Sequence, residues 1–177
     1  MKKYDTVIFD LDGTLLNTLE DLTDSTNFVL SSFGYAQRTI EEVRTFVGNG
    51  IGRLLERAIP QGKDNPNFND MLELFKSYYD KNCNNKTKPY DGVIDLLETL
   101  KENGFKLAVV SNKIDFAVKK LCSRYFEGLI DIAIGETEKI RRKPYPDEIE
   151  EALSLLNSKK ESSVYVGDSE VDIMTGK

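Results

Sequence analysis

The run Val7-Ile8-Phe9 leads directly into Asp10-Leu11-Asp12-Gly13-Thr14. A short buried strand, expected over residues 4–9, thus empties into two carboxylates two residues apart, then a glycine and a hydroxyl. Two acids this close resist ionising together. They are tolerated where a cation sits between them or where they share proton-transfer work. The ends of strands are also where open α/β sheets bind their ligands. The first strand therefore reads as the floor of a metal-assisted site.

Helical periodicity follows. Leu19, Leu22, Thr26, Val29, Leu30 and Phe33 recur on one helical face, with Thr18 and Asp21 as a capping box and Gly34 at the end. Thr39 with Glu42 repeats the capping signature. Further stripes are Ile51, Leu54, Leu55, Ala58 and Ile59, then Phe68, Met71, Leu72, Phe75, Tyr78 and Tyr79, separated by a polar loop at 61–67. From Tyr90 the pattern changes. A helix closed by Gly104 precedes a strand at 105–110, a helix at 114–122 and a strand at 129–134. A helix at 146–156 and a strand at 164–166 complete the series. Strands alternating with helices predict parallel crossovers and a three-layer α/β sheet. The expected organisation is a core of residues 1–15 plus 89–177 interrupted by an α-helical insert at 16–88.

The composition removes several classes of function. The chain has no histidine, which excludes Ser-His-Asp hydrolysis and histidine-ligated metal sites. A net charge of −6 argues against nucleic acid and membrane surfaces as partners. No apolar run is long enough to span a bilayer, and Asp5, Asp10 and Asp12 interrupt any signal-like core after Lys2 and Lys3. Cys83 and Cys122 lie far apart and outside any CxxC spacing, as reduced thiols do. A cytoplasmic enzyme is the expectation.

Four chemically distinctive sites follow four expected strands. Asp10 and Asp12 follow the first, Ser111 and Asn112 the second, Lys143 the third after a short loop, and Asp168 and Asp172 the fourth. In a parallel sheet all four strand ends lie on one edge, so these residues can converge. Carboxylates with water and phosphate oxygens are natural ligands of Mg2+. A lysine ammonium and a serine hydroxyl can hold the remaining phosphate oxygens. An aspartate can attack phosphorus, and a second can protonate the leaving alkoxide and later deprotonate water. Phosphoryl transfer is the chemistry this set permits.

The four segments Asp10-Leu11-Asp12-Gly13-Thr14, Ser111-Asn112, Lys143-Pro144 and Gly167-Asp168 with Asp172 occur in this order. Together they resemble the signature of the haloacid dehalogenase superfamily, in particular its phosphoglycolate phosphatase-like group. The resemblance spans almost the whole chain. It implies a three-layer Rossmann-like core with an inserted α-helical cap at 16–88, and a Mg2+-dependent phosphatase acting on a small phosphorylated metabolite through an aspartyl-phosphate. By position it implies Asp10 as nucleophile and metal ligand, and Asp12 as general acid/base with its main-chain carbonyl on the metal. It implies Asp168 as a further metal ligand, Asp172 as support for that site, and Ser111, Asn112 and Lys143 as phosphate ligands. Thr14 braces the loop. In the cap, Gly48, Asn49 and Gly50 resemble a substrate-facing glycine loop, and also read as a helix–helix turn. Alternatives are a phosphomutase, for which the cap offers only Arg53 and Arg57 as a basic pair, a pyrophosphatase, or a catalytically weak phospho-ligand sensor. A monomer or a homodimer fits. The resemblance also implies a further strand and helix beyond Met174-Thr175-Gly176-Lys177, so the chain is expected to be truncated there.

Overall fold

The computed structural model describes residues 3–177. In chain order it runs β1 (Thr6–Phe9), β2 (Leu16–Asn17), α1 (Leu19–Ser32), α2 (Ile40–Phe46), α3 (Gly50–Ala58) and α4 (Phe68–Asn82). It continues through β3 (Lys88–Pro89), α5 (Val93–Glu102), β4 (Lys106–Ile114), α6 (Asp115–Tyr125), β5 (Ile132–Glu136), α7 (Asp147–Leu155), β6 (Ser163–Val166) and α8 (Glu170–Thr175). The chain divides into two compact units, Met1–Leu16 with Pro89–Lys177, and Asn17–Lys88. No helix among the described residues is long and apolar enough to cross a membrane. Both cysteines are buried, and no disulfide joins them.

The first unit is an α/β sheet with strand order β5-β4-β1-β6. All three pairings are parallel, with Phe9 opposite both Val109 and Val166. Parallel neighbours need crossovers, and the helices between the strands supply them. The side-chain period of two divides the strand residues between two faces. Ile8, Ala108, Val110 and Ile134 pack with Ala152, Leu153 and Leu156 of the α7 segment. The alternate set Val7, Phe9, Leu107 and Val109 is buried as well. The register brings Asp10, Ser111 and Gly167-Asp168 out along one edge of the sheet.

The second strand of the core differs from its expected bounds. It begins at Lys106 and runs to Ile114, so Ser111 and Asn112 lie within its end instead of after it. The cause is a bulge. Ser111 stands opposite Gly135 and Ile114 opposite Glu136, so Asn112 and Lys113 have no counterparts on β5. Gly135 permits this crowding. A Cβ there would sit 2.5 Å from Asp115 Cα and 2.6 Å from the Lys113 carbonyl oxygen.

The second unit is helical. Its core includes Leu22, Val29, Leu30, Val43, Leu54, Leu55, Met71, Phe75 and Tyr79, all buried. The Thr39 capping box forms as its sequence predicts. Glu42 N donates to Thr39 Oγ1 at 3.2 Å, and Thr39 N donates to Glu42 Oε2 at 2.8 Å. The matching signature at Thr18 does not form, since Thr18 makes no side-chain capping bond. Asp21 is committed elsewhere. Its carboxylate accepts from Lys86 N at 3.0 Å and Thr87 N at 2.8 Å. Two otherwise orphaned backbone donors outcompete the local cap for a buried acid.

Candidate active site

Asp10 follows β1 directly, and its own N–H donates to the Val166 carbonyl at 2.9 Å. Its side chain is thereby fixed beside the turn that leaves β6. Lys143 comes from the loop before α7, and its side chain is only 3% exposed. Lys143 Nζ lies 2.7 Å from Asp10 Oδ1 and 2.7 Å from Asp172 Oδ1. It also donates to the Tyr165 hydroxyl at 3.0 Å. Tyr165 in turn donates to Asp172 Oδ1 at 2.8 Å. One ammonium is therefore shared by two buried carboxylates and braced by a phenol.

A single cation cannot neutralise both acids, and their charge states divide accordingly. Burial pushes Asp10 up to about 6, against the pull of Lys143. Asp172 is also penalised by burial. It is nonetheless held below the usual carboxylate range, because Lys143, Ser169 and Tyr165 all bond to it. Ser169 N and Oγ both donate to Asp172 Oδ2, and Asp172 N returns a bond to Ser169 Oγ, which closes a capping box on α8. Burial would lower the pKa of Lys143, but Asp10, Tyr165 and Asp172 raise it, so it stays charged.

Asp10, Asp168 and Asp172 each offer a carboxylate oxygen, and these oxygens lie within 4.8 Å of one another. Thr14 Oγ1 donates to Asp168 Oδ1 at 3.3 Å, which ties the turn after β1 to the one after β6. Gly13 stands against the same carboxylate, and a Cβ there would collide with it. Its φ of 89° is itself unfavourable for any side chain. Burial raises the pKa of Asp168. An all-oxygen donor set with no histidine or thiol matches a hard divalent cation.

Asp12 leaves this cluster and turns toward β4. Lys113 Nζ reaches its carboxylate at 2.9 Å and 3.1 Å. Ser111 and Asn112 are both buried, and Asn112 Nδ2 donates to the Lys143 carbonyl at 3.2 Å, which joins the β4 bulge to the lysine loop. Gly48, Asn49 and Gly50 belong to the other compact unit, where they connect α2 to α3. Gly48 and Gly50 both have positive φ, and Asn49 makes no side-chain capping bond. The basic residues flanking Lys143 are exposed and paired, Arg141 with Asp147 and Arg142 with Glu136.

A model of the haloacid dehalogenase-like hydrolase family matches residues 7–177. The chain belongs to this family. It is 34% identical over 172 residues to the phosphoglycolate phosphatase of Aquifex aeolicus, covering 97% of this chain and 79% of that one. It is 33% identical over 173 residues to the pyrophosphatase PpaX of Anoxybacillus flavithermus, covering 97% and 78%. A crystal structure from Lactobacillus delbrueckii subsp. bulgaricus, described as a phosphoglycolate phosphatase, superposes with a TM-score of 0.92 at 38% identity, covering 98% of this chain and 82% of that one.

Within this haloacid dehalogenase-like site, three residues escape the sequence reading. Lys113 and Tyr165 sit inside apolar strands, and only the folded register reveals what they face. Glu148 carried a usable signal, because it lies four residues before the inward-facing Ala152 on the same helical stripe. It is fully buried, and neither carboxylate oxygen has a hydrogen-bond partner among the described residues. Burial pushes it up to about 8, against the attraction of Lys143 and with Glu136, Asp10 and Asp147 adding to the rise.

The sign follows from linkage. A carboxyl whose folded pKa is raised binds its proton more tightly in the folded state, so stability falls as pH climbs from the unfolded value toward 8. Glu148→Gln removes that slope. The variant is expected to be more stable than wild type at pH 7 by up to about 3 kcal/mol, with the gain vanishing near pH 4.5. Urea unfolding of both proteins at the two pH values measures it. A pH-independent difference contradicts the account.

Proposed function

We propose that this chain is a Mg2+-dependent phosphatase of small phosphomonoesters, working through an aspartyl-phosphate on Asp10. The observation that carries the reading is the sharing of Lys143 between Asp10 and Asp172 beside a third acid, Asp168. With a divalent cation held by these acids beside the ammonium, the strand edge would suit a dianionic phosphoryl group better than a neutral substrate. Phosphoglycolate is the first candidate substrate, as the relatives of that name suggest.

The roles follow from position. An Asp10 carboxylate oxygen attacks phosphorus, and the bond from phosphorus to the leaving oxygen breaks. Asp12 supplies the proton to that oxygen. Water then attacks the aspartyl-phosphate, Asp12 takes its proton, and the phosphorus–Asp10 bond breaks to release inorganic phosphate. Ser111, Asn112 and Lys143 hold the phosphoryl oxygens. Asp10 and Asp168 would hold the metal with the Asp12 main-chain carbonyl, and Asp172 would support them. Bound Mg2+ supplies Lewis-acid neutralisation of the phosphoryl charge and orients it for in-line attack. Gly48, Asn49 and Gly50 are proposed to select the substrate, in a turn whose positive φ at Gly48 and Gly50 suits glycine.

A second reading is a pyrophosphatase, favoured by the similarity to two pyrophosphatases PpaX at 33% and 30% identity. Phosphate release from phosphoglycolate, p-nitrophenyl phosphate and inorganic pyrophosphate, each with Mg2+ and with chelator, tests both. Mg2+-dependent release from an ester and little from pyrophosphate supports the first reading, and the reverse ranking supports the second. Release that survives chelation contradicts the metal requirement. Gly13→Ala probes the acid cluster separately. It is expected to displace Asp168 and raise the Mg2+ concentration for half-maximal activity by about 10- to 100-fold. An unchanged Mg2+ titration contradicts the role of Asp168.

A further inference from the structure

We propose that Lys113 is the positioning residue for Asp12, fixing its carboxylate as the base of the dephosphorylation half-reaction. This rests on the phosphatase reading above. Lys113 Nζ meets both oxygens of Asp12, at 2.9 Å and 3.1 Å. The lysine side chain is 1% exposed and the aspartate side chain 14%. Such a pair is shielded from salt and from competing water, unlike the exposed ion pairs elsewhere on the surface.

The backbone is shaped to make this contact. Lys113 is one of the two residues that the β4 bulge inserts, and bulges re-aim side chains beside functional sites. The Gly135 contact and a bond from Gly135 N to Asp115 Oδ1 at 3.1 Å close the strand behind the bulge. Asp12 is held on its own side by the tight turn in which Leu15 N and Leu16 N both donate to the Leu11 carbonyl. Both ends of the ion pair are therefore anchored in backbone.

The consequence is unequal for the two half-reactions. In the second, water loses a proton to the Asp12 carboxylate as its oxygen bonds to phosphorus and the phosphorus–Asp10 bond breaks. Lys113 keeps its own protons throughout. An ammonium hydrogen-bonded to both Asp12 oxygens fixes the direction in which the carboxylate meets that water. With a leaving group that departs without a proton, the first step makes no demand on that geometry. Removing Lys113 should slow dephosphorylation more than phosphorylation.

The test is rapid mixing of Lys113→Met with p-nitrophenyl phosphate and Mg2+, beside wild type. The p-nitrophenolate leaves with little need of a proton, so the first step stays fast. The expected result is a burst of p-nitrophenol close to one equivalent per enzyme, then a steady rate about 10- to 100-fold below wild type. A merely structural defect slows both steps and gives no burst, which overturns the proposal. Lys113→Met also leaves Asp12 without its partner. A second comparison, Asp12→Asn against Asp12→Asn/Lys113→Met, therefore removes Lys113 where no Asp12 carboxylate is left to lose its partner. If Lys113 acts through Asp12, the added substitution leaves the dephosphorylation rate unchanged, and a further loss overturns the proposal even if the single variant does not fold. A wild type with no Mg2+-dependent turnover overturns the phosphatase reading itself, and this inference with it.

Discussion

Lys143→Met is expected to destabilise the protein by about 3–5 kcal/mol and to abolish activity. The size follows from what the ammonium leaves behind. Asp10 and Asp172 are buried on side chains 8% and 3% exposed, and both depend on Lys143 at 2.7 Å. Losing the shared cation strands two like charges together, with Tyr165 able to bond only Asp172. Proteins of this size have about 5–15 kcal/mol of stability in total, so the loss is a large fraction. It corresponds to a fall in melting temperature of roughly 6–20 °C. Urea and thermal unfolding measure it. A loss below about 1 kcal/mol would show that the cluster does not depend on this lysine.

Asp10→Asn is expected to separate activity from stability. The amide cannot serve as nucleophile, so turnover should fall by at least about 10^4-fold. The fold should not suffer. Burial raises the Asp10 carboxyl from 3.8 to about 6, so its ionised form is penalised in the folded state. Its effect on stability becomes less favourable as pH rises from about 4 through 6, and asparagine carries no such slope. At pH 7 the variant should unfold at a temperature equal to or above that of wild type. Lys143 retains Asp172 and Tyr165 as partners. A melting temperature well below wild type contradicts this account of the charge balance.

The two acids thus play opposite parts beside one lysine. Asp172 is bonded through both oxygens, by Lys143 and Tyr165 on one side and Ser169 on the other, and is held ionised. Asp10 accepts from Lys143 through Oδ1 and carries the cost of burial. The group proposed to attack phosphorus is therefore the less satisfied of the two. Functional sites commonly concentrate such perturbed groups.

Much of the architecture was legible because its signals are local. The strand and helix alternation after Tyr90 gives the parallel sheet, and apolar runs ending in acids mark the edge at which Asp10 and Asp168 stand. Thr39 and Glu42 form their capping box because Arg38 takes only the other Glu42 oxygen, Oε1, and leaves Oε2 to the Thr39 N–H. Thr18 and Asp21 carry the same kind of signature, yet Asp21 goes to the backbone of Lys86 and Thr87, a partner 65 residues away that no local pattern announces. Lys113 was invisible as a partner of Asp12 for a similar reason. Its direction is set by two bulged residues in β4, and a bulge shifts the register that sequence periodicity assumes. Tyr165 looked like an ordinary strand residue until β6 was paired beside β1, which set its hydroxyl against Lys143 and Asp172.

The most direct measurement is acid quenching of the wild type during turnover of p-nitrophenyl phosphate with Mg2+, followed by peptide mass mapping. One phosphoryl group is expected on the peptide containing Asp10, labile to hydroxylamine as an acyl phosphate is, and none in Asp10→Asn. Turnover with no phosphopeptide, or Asp10→Asn turning over at the wild-type rate, would contradict it.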